Sequence, residues 1–128
     1  MKLVVDGNDG TGKSTLVGML RQLGYEVSDR GIPTKMTDDN SITASDEEFY
    51  FILDVPVEVS QARLLKAGRD LKERYHTLED LVFYRERFLA ISKRLENSVV
   101  IDASGSPEEV LSHFLSVMEQ KLKVSQCL

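Results

Sequence analysis

The chain has few residues of the types that build disulfides and metal sites: one cysteine, two histidines and no tryptophan among 128 residues. The single cysteine, Cys127, excludes an internal disulfide, which fits a reducing compartment, and we expect a plain surface thiol. His76 and His113 are far apart in sequence, so a histidine-based metal site is not expected. No apolar run approaches the length of a membrane span, and the first residues predict a strand rather than a signal peptide. We therefore expect a cytoplasmic protein without membrane contact.

The chain also lacks an excess of basic residues. Its formal net charge of −5 argues against a nucleic-acid partner. A hydrophobic fraction of 41% and a charged fraction of 29% are those of an ordinary globular protein. The length suits one hydrophobic core, so we expect a single domain over residues 1–128. Its expected partners are small-molecule substrates, and a homodimer is left open.

One dense motif stands against these absences, a loop that reads Gly7-Asn8-Asp9-Gly10-Thr11-Gly12-Lys13-Ser14. It fits G-x-x-x-x-G-K-[ST], a loop whose backbone N–H groups and following helix end hold phosphates. We expect Lys13 to reach the β- and γ-phosphates and the Ser14 hydroxyl to ligate Mg²⁺, so ATP and Mg²⁺ are the expected cofactors. The other loop residues expected at the nucleotide are Asp9, Gly10, Thr11, Gly12 and Thr15. For Thr15, a place inside the helix explains the residue equally well.

The sequence around the loop predicts the strand and the helix that this motif requires, over residues 2–6 and 12–23. Further strands are predicted at 25–29, 49–55 and 98–102, and further helices at 57–66, 77–97 and 107–123. This alternation predicts a layered α/β fold with a small, mostly parallel sheet of about four strands. Ligands of such folds bind at the carboxyl ends of the strands, where the loop lies.

The remaining local patterns predict caps, core and irregular segments. Thr77 with Asp80, and Ser106 followed by proline and two acids, are typical helix starts. Tyr50, Phe51 and Phe88 are expected in the core. Residues 31–48 are polar and predict a long loop, and the tail over residues 124–128 is expected to fray.

Several stretches carry a family resemblance: Val5 to Leu16 around the loop, Ile52 to Val59, Arg63 with the pair Arg69-Asp70, Tyr84 to Leu89, and Val99 to Val110. Together they resemble thymidylate kinases, which are P-loop nucleoside monophosphate kinases. The resemblance implies the three-layer P-loop NTPase (nucleotide kinase-like) form of the α/β fold. The resemblance covers residues 1–24 and 49–115. It implies ATP-dependent transfer of the γ-phosphoryl group to a nucleoside monophosphate or a related small acceptor.

The resemblance also implies roles for individual residues. Asp9 would act near the acceptor, beside the catalytic Lys13. An arginine-rich lid would lie at residues 66–75, with Arg63 and Arg69 as catalytic arginines. Adenine would lie between Arg63 and the turn formed by Ala103, Ser104 and Gly105.

The acceptor half of the family pattern is less complete, because family members are longer and this chain compresses their middle. Asp29-Arg30 is the remaining candidate for the family's Asp-Arg motif. Asp29 would ligate Mg²⁺ through water or orient the acceptor, and Arg30 would clamp the acceptor's phosphate. A surface pair at a strand end explains these two residues equally well. The aromatic and glutamine residues that hold thymine in the family have no clear match.

Other interpretations stay open for the charged residues. The segment from Arg63 to Arg74 also fits a solvated helix face that pairs with Asp70 and Glu73. Asp54 would support a magnesium site indirectly or cap a helix, and Arg85 would be functional or structural. At the level of function, two alternatives to a nucleotide kinase remain: a nucleotide-binding protein with little transferase activity, and a kinase of a larger acceptor such as a polynucleotide end.

Overall fold

The computed structural model describes residues 2–29 and 48–126, with side chains described as far as residue 122. Arg30, nearly all of the predicted loop at 31–48, and Cys127 lie outside the described residues. The described chain forms β1 (Lys2–Gly7), α1 (Lys13–Gln22), β2 (Val27–Asp29), β3 (Glu48–Asp54), α2 (Val57–Lys66), α3 (Leu78–Arg94), β4 (Ser98–Asp102) and α4 (Pro107–Gln126). The predicted alternation of strands and helices is confirmed.

The four strands form one parallel sheet in the order β2-β1-β3-β4. Because all strands run in the same direction, their carboxyl ends meet at one edge of the sheet. There Gly7 of β1 lies beside Leu53 of β3, and Asp54 lies beside Asp102. The glycine-rich loop therefore leaves the sheet between β2 and β3.

Helices cover both faces of this sheet. On one face, β1 and β3 pack against α1 and α4, with the rings of Phe51 and Phe114 4.4 Å apart. On the other face, Val4, Tyr50 and Ile52 pack against α3, whose Phe88 is buried. Strand β3 is buried on both sides, as its continuous apolar run predicted. The core positions predicted for Tyr50, Phe51 and Phe88 are confirmed.

Two helix starts have the predicted caps. The Thr77 hydroxyl accepts a hydrogen bond from the Asp80 N–H at 3.1 Å. Ser106 and Glu109 form a reciprocal capping box, because each accepts a hydrogen bond from the other's N–H at 3.2 Å. These bonds lower the pKa of the Glu109 carboxyl. Both caps fix the first turn of a helix that begins at the same edge of the sheet as the glycine-rich loop.

The ends of α3 and α4 differ from the prediction. Helix α3 ends at Arg94 instead of residue 97, because Leu95 takes an extended conformation and Asn97 lies in a turn, where its carbonyl accepts a hydrogen bond from the Tyr50 N–H of β3. The side-chain amide of Asn97 donates to the Glu48 carbonyl at 2.6 Å. Helix α4 continues to Gln126 instead of residue 123. No helix in the described part of the chain is long and apolar enough to cross a membrane.

Gly7→Ala is expected to destabilise the fold, since Gly7 has φ 145° and an added Cβ would lie 2.5 Å from the Leu53 carbonyl oxygen. We expect a loss of about 2 kcal/mol or more in the free energy of unfolding. Gly18→Ala is the control, because Gly18 lies inside α1 with open space around it, and it should stabilise by roughly 0.5–1 kcal/mol. Urea unfolding measures both. Equal midpoints for Gly7→Ala and wild type would contradict the packing at this edge.

Candidate functional site

The glycine-rich loop closes on itself between β1 and α1. Gly10 has φ 80°, and a Cβ there would lie 2.7 Å from the Ser60 carbonyl oxygen, so only glycine lets the loop lie this close to α2. Gly12 is the N-cap residue of α1 and supplies no side-chain cap, and the first turn of α1 contains no acidic residue. The N–H groups that open this helix are thus left for another partner.

Lys13 lies folded over the loop. Its Nζ donates to the Gly7 carbonyl at 2.6 Å and lies 3.7 Å from Oδ1 of the buried Asp6. The ammonium group is therefore held at the carboxyl end of β1. Ser14 follows it in the first turn of α1 with an exposed side chain.

The residues present fit a magnesium ion only in combination with a nucleotide. Among the described residues, no group of three or more histidine, cysteine, aspartate or glutamate side chains could hold a metal ion. Mg²⁺ would therefore depend on the Ser14 hydroxyl and on phosphate oxygens, the hard ligands that this ion prefers. Asp29, the other predicted ligand, is exposed at the end of β2 beside Val5.

Side chains of the loop itself anchor its first half to α3. The Asn8 amide donates to the Leu81 carbonyl at 2.7 Å, and the Asn8 Oδ1 accepts from the Asp9 N–H at 3.1 Å. The Thr11 hydroxyl donates to the Asn8 carbonyl at 2.8 Å and is buried. The Thr11 hydroxyl thus forms a hydrogen bond within the loop, although Thr11 was predicted to contact the nucleotide.

Arg63 joins the loop to the turn that precedes α4. Its guanidinium donates to the carbonyls of Thr11 at 3.1 Å and Gly10 at 3.5 Å, and to those of Ala103 at 2.7 Å and Gly105 at 3.2 Å. Arg63 and the turn between which adenine was predicted to lie are thus in direct contact, and the adenine site stays a prediction. The guanidinium is engaged by backbone oxygens, and the catalytic role assigned to Arg63 stays a prediction.

Two pockets meet at the loop. The larger has a volume of about 400 Å³, and its lining combines apolar side chains with the Arg63 bridge; it includes Thr11, Leu16, Arg63, Leu64, Ala67, Ala103, Gly105, Pro107 and Val110. The smaller has about 320 Å³ and a charged lining that includes Asp9, Lys13, Ser14, Arg69 and His76. Gly10, Gly12, Thr15 and Leu64 line both pockets. We call them the base-sized pocket and the charged pocket.

Two predicted residues in the described part of the chain, Ser104 and Asp29, stand apart from these pockets. Ser104 lines neither, and hydrogen bonds from its side chain and its N–H lower the pKa of Asp102. Asp29 also lines neither pocket, and Arg30 lies outside the described residues. Nothing in the described part of the chain tests the acceptor role of the Asp29-Arg30 pair.

Arg63 and Lys66 of the basic segment lie in α2, but residues 67–76 form turns, so the helix-face interpretation is wrong for Arg69 and Arg74. Arg69 lines the charged pocket, and its predicted catalytic role stays a prediction. Arg74 instead lies over the Tyr75 ring, 4.9 Å from its centroid. Asp70 accepts a hydrogen bond from the Lys72 N–H at 2.9 Å. Of the three arginines considered at 63, 69 and 74, only Arg69 lines the charged pocket.

Asp54 and Arg85 form a two-bond ion pair between β3 and α3. Their oxygen–nitrogen distances are 2.9 and 3.2 Å, and the bonds to Asp54 raise the pKa of Arg85. Helix α2 begins after Pro56 without a side-chain cap. The interpretation of Asp54 as a helix cap is therefore wrong, and Arg85 makes a structural contact that joins β3 to α3.

His76 is the residue that the sequence did not reveal. Its Nε2 lies 3.3 Å from Oδ2 of Asp9, and its side chain is only 12% exposed. One feature of the sequence could have predicted a partner: an acidic residue, Asp9, inside a phosphate-type loop is stabilised by a neighbouring proton donor or cation. No spacing rule identifies such a donor in a distant part of the chain.

Comparison with known proteins gives a partial likeness. No family model matches this chain. The chain is 29% identical over 114 residues to the "Bifunctional cordycepin biosynthesis cluster protein 3" of Cordyceps militaris. The match covers 68% of this chain, which spans only 13% of the length of that curated relative.

Arg63→Ala is expected to loosen the loop, because it leaves up to four carbonyls without their donor. We expect the free energy of unfolding to fall by about 1–3 kcal/mol, and the amide hydrogens of Gly10 to Gly12 to exchange faster. Lys66→Ala is the control, since Lys66 is an exposed residue in the last turn of the same helix, and it should stay within about 0.5 kcal/mol. Unchanged amide exchange in Arg63→Ala would contradict the bridge.

Proposed function

We propose that this chain is an ATP-dependent phosphotransferase of the P-loop nucleotide kinase type. It would transfer the γ-phosphoryl group to a nucleoside monophosphate or a related small acceptor, with Mg²⁺ as cofactor. The observation that carries the proposal is the junction of the base-sized pocket and the charged pocket at the glycine-rich loop. A volume of about 400 Å³ lies within the usual range for small-molecule sites.

The start of α1 supports phosphate binding. The other three described helices carry acidic residues in their first turns, which offset the positive end of each helix dipole. Helix α1 has neither an acidic residue nor a side-chain cap there. An anion placed against its open N–H groups would satisfy them, as phosphates do at such loops.

The two pockets divide the nucleotide between them in this proposal. The base would enter the base-sized pocket, beside Leu64, Val110 and the bridge made by Arg63. The phosphates would pass along Gly12 and Thr15, which line both pockets, and reach Lys13. Lys13 would exchange its bond to the Gly7 carbonyl for phosphate oxygens, a short movement of a flexible side chain.

Phosphoryl transfer depends on positioning and on neutralising the charge that spreads over the transferred group. Among the described residues, Lys13 and Arg69 are the lysine and arginine side chains in the lining of the charged pocket. Mg²⁺, when bound, would supply further positive charge between the β- and γ-phosphates. Ser14 would hold it, and Asp9 at the same pocket would face the acceptor.

The family resemblance to thymidylate kinases belongs to this proposal as well. The cordycepin-cluster relative is named as bifunctional, and its name specifies no phosphoryl transfer. The proposal therefore depends on the loop motif and on the two pockets.

A second candidate function is nucleotide binding with little transfer. The observation in its favour is that Arg63 is engaged by backbone carbonyls, which leaves Arg69 as the one arginine of the described chain that lines the charged pocket. Fewer cationic groups at the transferred phosphoryl would leave the reaction slow. Such a protein would bind Mg²⁺–ADP and release ADP from ATP only slowly.

Lys13→Ala is expected to lower the rate of transfer by roughly 10²-fold or more and to weaken ATP binding, because it removes the ammonium group from the phosphates. Arg69→Ala should lower kcat at least about tenfold while the Kd for ATP stays within about threefold. Arg74→Ala is the matched control, since its guanidinium lies over Tyr75 and its loss should leave kcat nearly unchanged. A coupled ADP-release assay against deoxynucleoside monophosphates, with calorimetry for ATP, measures all three.

The wild-type protein decides between the two candidate functions. Binding of Mg²⁺–ADP without turnover of any monophosphate would favour nucleotide binding alone and overturn the acceptor assignment. Full turnover in Arg69→Ala would overturn the role given to that arginine.

A further inference from the structure

His76 lies where the turns after α2 meet the glycine-rich loop. Its Nε2 is 3.3 Å from Oδ2 of Asp9, and its Nδ1 is 3.6 Å from Oε2 of Glu73. The Nδ1 atom is buried and has no hydrogen-bond partner among the described residues. The closer contact of the imidazole with a carboxylate is therefore the one between Nε2 and Asp9.

The backbone that presents His76 is constrained. Tyr75 has φ 73°, and it is the only residue other than glycine with a positive φ in the described chain. Such a conformation is energetically unfavourable for a residue with a side chain and persists only where surrounding contacts impose it. Here the Tyr75 N–H donates to Asp80 Oδ2 at 2.7 Å, and the Tyr75 ring packs 5.5 Å from that of Tyr84. The strain and its supports together aim the next residue, His76, at the loop.

Asp9 needs such a partner because of its surroundings. It lines the charged pocket with Lys13, Ser14 and Arg69, and its side chain is about one-third exposed, at 32%. An ionised carboxylate only accepts hydrogen bonds, so it would repel phosphate oxygens and accept from a hydroxyl of the acceptor. A carboxylate turned toward the nucleotide would oppose binding. Its direction therefore matters to the reaction.

We propose that His76 is a positioning residue for phosphoryl transfer, which holds the Asp9 carboxylate through Nε2 so that its free oxygen faces an acceptor hydroxyl. The proposal rests on the phosphotransferase function proposed above. His76 itself touches neither nucleotide nor acceptor in this role. Its effect passes through Asp9, so it should appear in acceptor-dependent turnover and be absent from ATP binding.

The test is a double-mutant cycle on the full chain, with His76→Leu, Asp9→Asn and the double variant. We expect His76→Leu to lower kcat/KM for the best deoxynucleoside monophosphate about tenfold or more, with the Kd for ATP unchanged within about twofold. In the Asp9→Asn background the same substitution should change kcat/KM less than about twofold, because the group it positions is gone. Equal losses in both backgrounds would overturn the proposal.

His76→Gln is the conservative variant, because its amide nitrogen offers a donor at nearly the same reach as Nε2. We expect it to retain most of the wild-type kcat/KM. It also keeps the test open if His76→Leu fails to fold. A Gln variant that folds with the wild-type Tm, binds ATP normally and transfers as poorly as the Leu variant would overturn the role of the donor.

A second readout separates this inference from the proposed function. The ¹⁵N spectrum of the His76 imidazole should change at Nε2 in Asp9→Asn, and Glu73→Gln is the control for the Nδ1 side. An unchanged Nε2 signal in Asp9→Asn would overturn the contact whatever the activity. A wild-type chain that transfers nothing to any acceptor, with a shifted Nε2 signal, would overturn the phosphotransferase function and leave the contact supported.

Discussion

The candidate site depends on one interaction, the convergence of backbone carbonyls on the guanidinium of Arg63. Carbonyl oxygens of the glycine-rich loop and of the turn before α4 point toward the same small volume. Without a cation these carbonyl dipoles would repel each other, and these hydrogen bonds between the loop and the turn would be lost. Arg63 suits this place because its planar group offers several donors at once and stays charged.

The same loop is held from its other side by α3. The Asn8 amide bonds to the Leu81 carbonyl, and the Leu81 side chain packs with Val57 and Leu64 of α2. The loop is therefore clamped between two helices that are themselves packed together. In this arrangement carbonyls of the loop accept hydrogen bonds from the protein itself, and the N–H groups at the start of α1 face the two pockets. The electrostatics of the site thus follow from how the loop is anchored.

The accuracy of the sequence-based predictions varied with the range of the interactions behind them. Both ends of helix α2 and of strand β4 were predicted at the correct residue, because strong local sequence patterns mark where these two elements begin and end. The end of α3 was placed three residues too late, since Leu95 and Asn97 leave the helix to meet the sheet. The basic segment was predicted to supply arginines to the phosphates, and Arg69 does reach the charged pocket. Arg74 does not line it, because an aromatic ring beside it holds its guanidinium.

By itself the sequence determined the glycine-rich loop, the alternation of strands and helices, the caps at Thr77 and Ser106, and the buried β3. Each is encoded by neighbouring residues, whose spacing and backbone preferences act over one or two turns of chain. Only the tertiary structure decided the strand order β2-β1-β3-β4, the four carbonyls that bind Arg63, and the meeting of His76 with Asp9. These contacts join residues far apart in the chain. They depend on how the helices pack on the parallel sheet, and no local sequence pattern predicts that packing.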